Sequence, residues 1–230
     1  MLLLFDIDGT LMLKASLEHV QAMYEALYDV HGIRNPPRVE AAGRTDIEIA
    51  RHACLLAGIS AEQFDDRLDD LVDRMNDNYA RLVPDDLSAR VAPGVPALLA
   101  ALDARHDVLL SLVTGNVEPI ARMKLRAAGI GKHFPSGQGG FGSDNEDRVL
   151  LPPIARARAG TAGPGGWVSY PRERTIVIGD TPRDIACAHA DRLRCVAVTS
   201  GPYSAEELVD ADVILPDASA LLDVLDDLTS

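Results

Sequence analysis

Residues 2–11 read LLLFDIDGTL: four apolar side chains run straight into two carboxylates, Asp6 and Asp8, one residue apart. An unbroken apolar run of this length is the pattern of a strand buried on both faces, as in parallel sheets covered by helices. In isolation the DIDG that follows reads as a turn, because Asp and Gly are standard turn residues. The rest of the chain decides between a turn and a site.

Four more segments share the character of the first: DVLLSLVTG (107–115), RTIVIGD (174–180), RCVAVTSG (194–201) and ADVILP (211–216). Helical patterns separate them at 94–104, 116–128, 147–159, 181–191 and 217–227. Strands alternating with helices predict a doubly wound, Rossmann-like α/β sheet with parallel strands.

Residues 15–91 interrupt that alternation. SLEHVQAMYEALYDVHG keeps Leu17, Val20, Tyr24 and Leu27 at helical spacing and stops at Gly32. TDIEIARHACLLAG opens with Thr45 and Glu48 in capping-box spacing. The stretch 60–83 starts with Ser60 and Gln63 in the same relation. It carries Phe64, Leu68, Leu71, Met75, Tyr79 and Leu82 on one face, which predicts a single helix. The expected organisation is therefore an α/β core from 1–14 and 92–230, with a helical module at 15–91 inserted after the first strand. PPR (36–38) and VAPGVP (91–96) hold the breakers expected near its joints, and the Gly/Pro-rich 159–174 reads as a surface loop.

Composition narrows the functions. A formal net charge of -13 with no Lys/Arg run excludes a polyanion-binding surface, and 4% aromatics excludes a stacking platform for single strands. No apolar stretch approaches the ~20 residues a membrane span needs. The N-terminal apolar run is too short for a signal peptide. Cys54, Cys187 and Cys195 lie far apart without CxxC spacing, so free thiols in a reducing compartment are expected. A soluble cytoplasmic protein, monomer or homodimer, with no nucleic acid or membrane partner, is the expectation. His19 and His31 fall on an amphipathic helix and read as packing or surface residues.

Three of the strands end in small polar or acidic groups: Asp6–Thr10, then Thr114-Gly115-Asn116, then Gly179–Asp184. Ligands of open α/β sheets bind outside the carboxyl ends of the strands near the switch point. If these strands are neighbours, their ends converge on one crevice. Each ending alone is a plain helix start or turn; their order after buried strands is what shifts the balance.

DIDGT (6–10), LVTGN (112–116), a basic residue and GDTPRD (179–184) resemble the four motifs of the haloacid dehalogenase-like (HAD) hydrolase superfamily. The helical insert resembles that family's C1 cap, in phosphoglycolate phosphatase-like form. The resemblance implies that Asp6 attacks the substrate phosphorus to form an aspartyl-phosphate, and that Asp8 protonates the leaving alkoxide and then takes a proton from water. It implies Mg²⁺ held by Asp6, the backbone carbonyl of Asp8, and Asp180, with Asp184 helping through a water or by orienting a ligand. A hard cation suits this set, because like charges ~4 Å apart cost about 4 kcal/mol at an effective dielectric near 20.

Thr114 matches the family's phosphate-binding hydroxyl, assisted by Gly115 and Asn116 at a helix start. The basic residue has two candidates: Arg148 in DRVLLPPIARARAG, where many relatives have Lys, and Lys124 in IARMKLRAAGI. Both are assigned to the phosphate, Arg148 first. AAGRTDIEIA (41–50) resembles a cap segment that meets substrate, which makes Arg44 a candidate reader of a carboxylate or second phosphate. The implied activity is a Mg²⁺-dependent phosphatase acting on a small phosphorylated metabolite. A phosphomutase of the same superfamily and a non-catalytic phosphate-binding module are the alternatives.

Overall fold

The computed structural model describes residues 1–163 and 165–229. Strand β1 (Leu2–Phe5) is followed by four helices: α1 (Leu17–His31), α2 (Asp46–Leu56), α3 (Ala61–Asp65) and α4 (Leu68–Leu82). Then come α5 (Val95–Asp103), β2 (Leu109–Thr114), α6 (Glu118–Ala127), the two-residue β3 (Gly140–Phe141) and α7 (Leu151–Arg158). A hairpin of β4 (Thr161–Gly163) and β5 (Gly166–Val168) precedes β6 (Thr175–Gly179) and α8 (Pro182–Ala190). The chain closes with β7 (Arg194–Val198), β8 (Val213–Leu215) and α9 (Leu221–Val224).

Six strands form one parallel sheet in the order β3-β2-β1-β6-β7-β8. Successive side chains of a strand point to opposite faces, which explains why β1 is apolar throughout. Leu3 and Phe5 join Leu98, Leu99 and Leu125 of α5 and α6 on one face. Leu2 and Leu4 join Ala155, Ile185 and Ala188 of α7 and α8 on the other. The strand order reverses around β1, with β2 on one side and β6 on the other. Phe5 stands opposite both Leu112 and Ile178, so the three strands release their next residues side by side.

Helices α1–α4 pack around a separate apolar cluster containing Met23, Leu27, Cys54, Phe64, Met75 and Tyr79, which also takes in Val117 and Ile120 at the start of α6. This helical layer covers the carboxyl end of the sheet. The expected α/β architecture is thus present, with several local departures.

The predicted single helix over 60–83 is two: α3 opens with a capping box at Ser60, and the chain bends at Asp66–Arg67 before α4. Arg67 leaves helical geometry there (φ -118°, ψ 12°) and donates to Asp70 and to the Val30 carbonyl. The PPR segment is not a joint between module and core; it lies inside the module, between α1 and α2. The 159–174 stretch is at the surface but carries the β4–β5 hairpin, whose second strand starts at Gly166 with φ +115°; position 164 lies outside the described residues. The helix expected at 217–227 shrinks to the four residues of α9, and the one expected at 147–159 is regular only from Leu151. Strand β3 gave no apolar run to read. All three cysteines are buried free thiols, and no described helix is long and apolar enough to cross a membrane.

Candidate active site

Asp6 leaves β1 with its N–H donating to the Ile178 carbonyl at 2.9 Å, which anchors it between β1 and β6. The chain then turns at Gly9 (φ +93°), where a Cβ would overlap the Asp180 carboxylate. Only glycine satisfies both requirements. Asp180 follows β6 directly and accepts from the Thr10 hydroxyl at 3.1 Å. Thr181 caps α8 in a reciprocal box: its N–H and hydroxyl donate to Asp184 Oδ2 at 3.0 and 2.7 Å. Asp184 Oδ1 faces the other way, toward Arg148.

Asp6, Asp180 and Asp184 are all buried, with carboxylate oxygens within 4.8 Å of one another. Burial, followed by the neighbouring carboxylates, pushes Asp180 up to about 8. Burial likewise pushes Asp6 up to about 6, against the pull of Arg148. Three such groups facing one guanidinium leave an excess of negative charge, and their donor atoms are all oxygen. That set fits a hard divalent cation of the Mg²⁺ type. Asp8 contributes no carboxylate to this cluster.

Asp8 belongs to a second constellation. Its oxygens accept from Lys124 Nζ at 2.7 and 2.9 Å, from Asn116 Nδ2 at 2.9 Å and from the Ser16 hydroxyl at 3.3 Å. Burial works to raise its pKa, but Lys124 and the other partners outweigh it and hold Asp8 below the usual carboxylate range. Lys124 has no exposed surface. It reaches Asp8 from α6, behind the crevice.

Arg148 sits just before α7 and bridges Asp184 and Asp6, its NH2 lying 3.3 Å from Asp6 Oδ1. Its Nε is buried with no hydrogen-bond partner among the described residues. The two basic candidates therefore serve different carboxylates: Arg148 serves Asp6 and Asp184, Lys124 serves Asp8.

A cavity of about 350 Å³ opens over these groups, between the strand ends and helices α1 and α2. Asp6, Asp8, Arg44, Gly115, Asn116, Arg148 and Asp180 all line it. Thr114, Lys124 and Asp184 are fully buried behind that lining. Lys124, assigned to the phosphate from sequence, therefore touches the site only through Asp8. The Thr114 hydroxyl accepts from Asn116 Nδ2 at 3.2 Å.

The helical layer is latched onto the core at the same place. The Asp46 N–H donates to the Gly115 carbonyl at 2.8 Å, and the Thr45 hydroxyl to the Glu146 carbonyl at 2.7 Å. Asp46 Oδ2 also accepts from the Val117 N–H at 2.8 Å and pairs with His19 Nε2 at 3.0 Å. His19 and Asp46 both line the cavity. Sequence reading passed over this pair, because a histidine on an amphipathic helix and an acid in a first turn each have an ordinary explanation. Arg44, the expected anion reader, is bound by Glu48 one helical turn away.

An α/β sheet with buried aspartates converging at the carboxyl ends of its middle strands, under a helical cover, is the arrangement of a class of hydrolytic enzyme. The chain belongs to the haloacid dehalogenase-like hydrolase family, whose model matches residues 3–189; a second model, for HAD-like hydrolases, matches 153–229. Among solved structures, a hydrolase from Pseudomonas syringae aligns over 100% of both chains at 24% identity, with a TM-score of 0.65. A β-phosphoglucomutase from Clostridium difficile aligns over 99% of this chain and 96% of its own at 17% identity, TM-score 0.69. A predicted phosphoglycolate phosphatase from Haemophilus somnus aligns over 97% of each chain at 20% identity, TM-score 0.62. At such identities the likeness is one of fold. No curated protein matches the chain significantly by sequence.

Proposed function

We propose that this enzyme is a Mg²⁺-dependent phosphatase that hydrolyses a small phosphorylated metabolite through an aspartyl-phosphate on Asp6. The observation that carries the reading is the placement of Asp6. It lines the cavity, lies 3.3 Å from the Arg148 guanidinium, and shares a cluster with Asp180 and Asp184. Residues 15–91 act as the cap that closes over it.

In this reading Arg148, whose Nε has no partner among the described residues, and the Gly115–Asn116 turn, backed by the Thr114 hydroxyl, receive the phosphoryl oxygens. A carboxylate oxygen of Asp6 attacks phosphorus while the bond to the leaving oxygen breaks, and Asp8 gives that oxygen a proton. Water then attacks the aspartyl-phosphate, Asp8 takes its proton, and phosphate leaves with Asp6 restored. Because Lys124 keeps Asp8 ionised at rest, the proton it donates is taken up as substrate binds. Asp6, Asp180 and the Asp8 carbonyl would hold Mg²⁺, with Asp184 in support; the ion, when bound, offsets the charge of the phosphoryl group. The buried free thiols suit a reducing compartment, and the cytoplasm is the proposed location.

The likeness to solved structures of a β-phosphoglucomutase and a predicted phosphoglycolate phosphatase supports phosphoryl chemistry as the common theme. The test is phosphate release from an aryl phosphate and a panel of phosphoglycolate, hexose phosphates and nucleotides, with Mg²⁺ and with EDTA. Turnover should require Mg²⁺, and Asp6→Asn should abolish it while leaving the circular dichroism spectrum intact. Absence of Mg²⁺-dependent release across the panel, or an active Asp6→Asn, would sink the reading.

A further inference from the structure

We infer that the cavity selects a phosphomonoester whose alcohol part is apolar and uncharged; this rests on the phosphatase reading and names its substrate class. The floor of the cavity is charged, but its upper wall is carbon: Val20, Met23 and Tyr24 from α1, Val39 from the α1–α2 connection, and Ile49 and Ala53 from α2. These come from the helical layer, so they face whatever the phosphoryl group is attached to.

The basic groups of the lining already have acidic partners. Arg44 is bound by Glu48, which leaves its buried Nε without a partner among the described residues. His19 pairs with Asp46 at 3.0 Å, and Asp46 also accepts from the Val117 N–H. Arg148 serves Asp6 and Asp184. A second anionic group on the substrate would compete with these carboxylates for each cation and face the uncompensated charge of the aspartate cluster. A polyhydroxylated alcohol would bring donors and acceptors against a wall where, the Tyr24 hydroxyl apart, apolar side chains cannot answer them, which a buried hydroxyl tolerates poorly. An alkyl or aryl group meets neither penalty and removes apolar surface from water on both sides.

Size points the same way. At roughly 30 Å³ per water-sized group, a cavity of about 350 Å³ holds on the order of ten non-hydrogen atoms. A phosphate occupies five of these, leaving room for about five or six carbons, the size of a pentyl or phenyl group.

Calorimetric titration of the full-length protein in Mg²⁺ with methyl-, butyl- and hexylphosphonate and with phosphonoacetate tests this without requiring turnover. Affinity should rise about fourfold per methylene from methyl to butyl. Phosphonoacetate should bind no more tightly than methylphosphonate. Val20→Asp, at a half-exposed wall position, should remove most of the chain-length gain. Affinity that does not depend on chain length, phosphonoacetate binding more tightly than butylphosphonate, or a gain unaltered in Val20→Asp would each overturn the inference. Failure of the phosphatase reading looks different: no Mg²⁺-dependent phosphate release from phenyl phosphate, with the chain-length gain intact.

Discussion

Replacing Arg148 by Met tests whether the acidic cluster is held together by this one side chain when no divalent cation is present. The guanidinium is buried against Asp6 and Asp184, whose oxygens lie with those of Asp180 inside a 4.8 Å set. Like charges about 5 Å apart repel by about 3 kcal/mol at an effective dielectric of 20. Removing one partner from a buried charged group typically costs ~3–5 kcal/mol. For a chain of this length that corresponds to a fall in Tm of roughly 10 °C.

The loss should depend on pH in a definite direction. Asp6 and Asp180 have native pKa values raised to about 6 and about 8, so the native state keeps protons that the unfolded chain releases near pH ~4. Their contribution to stability is complete at acid pH and is lost as pH climbs toward 8. In EDTA, Arg148→Met should therefore melt well below the parent at pH 8 and much closer to it at pH 5. Mg²⁺ at a hundredfold excess over its Kd should return about 2.7 kcal/mol to either protein. Scanning fluorimetry at both pH values, with EDTA and with Mg²⁺, reads all of this. Equal melting temperatures at pH 8 in EDTA, or a deficit as large at pH 5, would refute the electrostatic account.

Two further substitutions probe the neighbouring constellations. Lys124→Met removes the ammonium that holds Asp8 below the ordinary carboxylate range; the alkaline limb of the kcat/KM profile, where Asp8 loses the proton it must donate, should move to higher pH by about one unit or more, and an unmoved limb would show that Lys124 does not act through Asp8. Gly115→Ala places a Cβ against the Arg44 carbonyl, which is backbone and cannot swing aside. Overpacking of this kind costs about 1–3 kcal/mol, so the helical layer should lift. Limited proteolysis between α1 and α2 should quicken and kcat/KM should fall, by about tenfold or more.

Much of the core was legible because burial writes itself into sequence. A parallel strand covered on both faces has no polar alternation, so LLLF, LLSLVT and TIVIG are recognisable without knowing what covers them. The same logic fails for β3, which is two residues long and half glycine, and for the bend at Asp66–Arg67, where the apolar spacing continues across a break in the helix. Local periodicity reports which face is buried, not whether the backbone stays straight.

The site divides along the same line. That Asp6, Asp180 and the 114–116 turn would converge followed from sequence, since each comes directly after a buried strand and the ends of neighbouring parallel strands must lie together. Which base serves which acid did not follow. Arg148 and Lys124 were both assigned to the phosphate, Arg148 first, because nothing in a helix's own sequence says which way its docking rotates a side chain. Only the packing of α6 and α7 on opposite faces of the sheet assigns Lys124 to Asp8 and Arg148 to Asp6 and Asp184. The His19–Asp46 pair, 27 residues apart, was likewise decided by tertiary structure. Strand ends are set by local hydrophobic pattern; ion pairs between elements depend on how those elements meet in space.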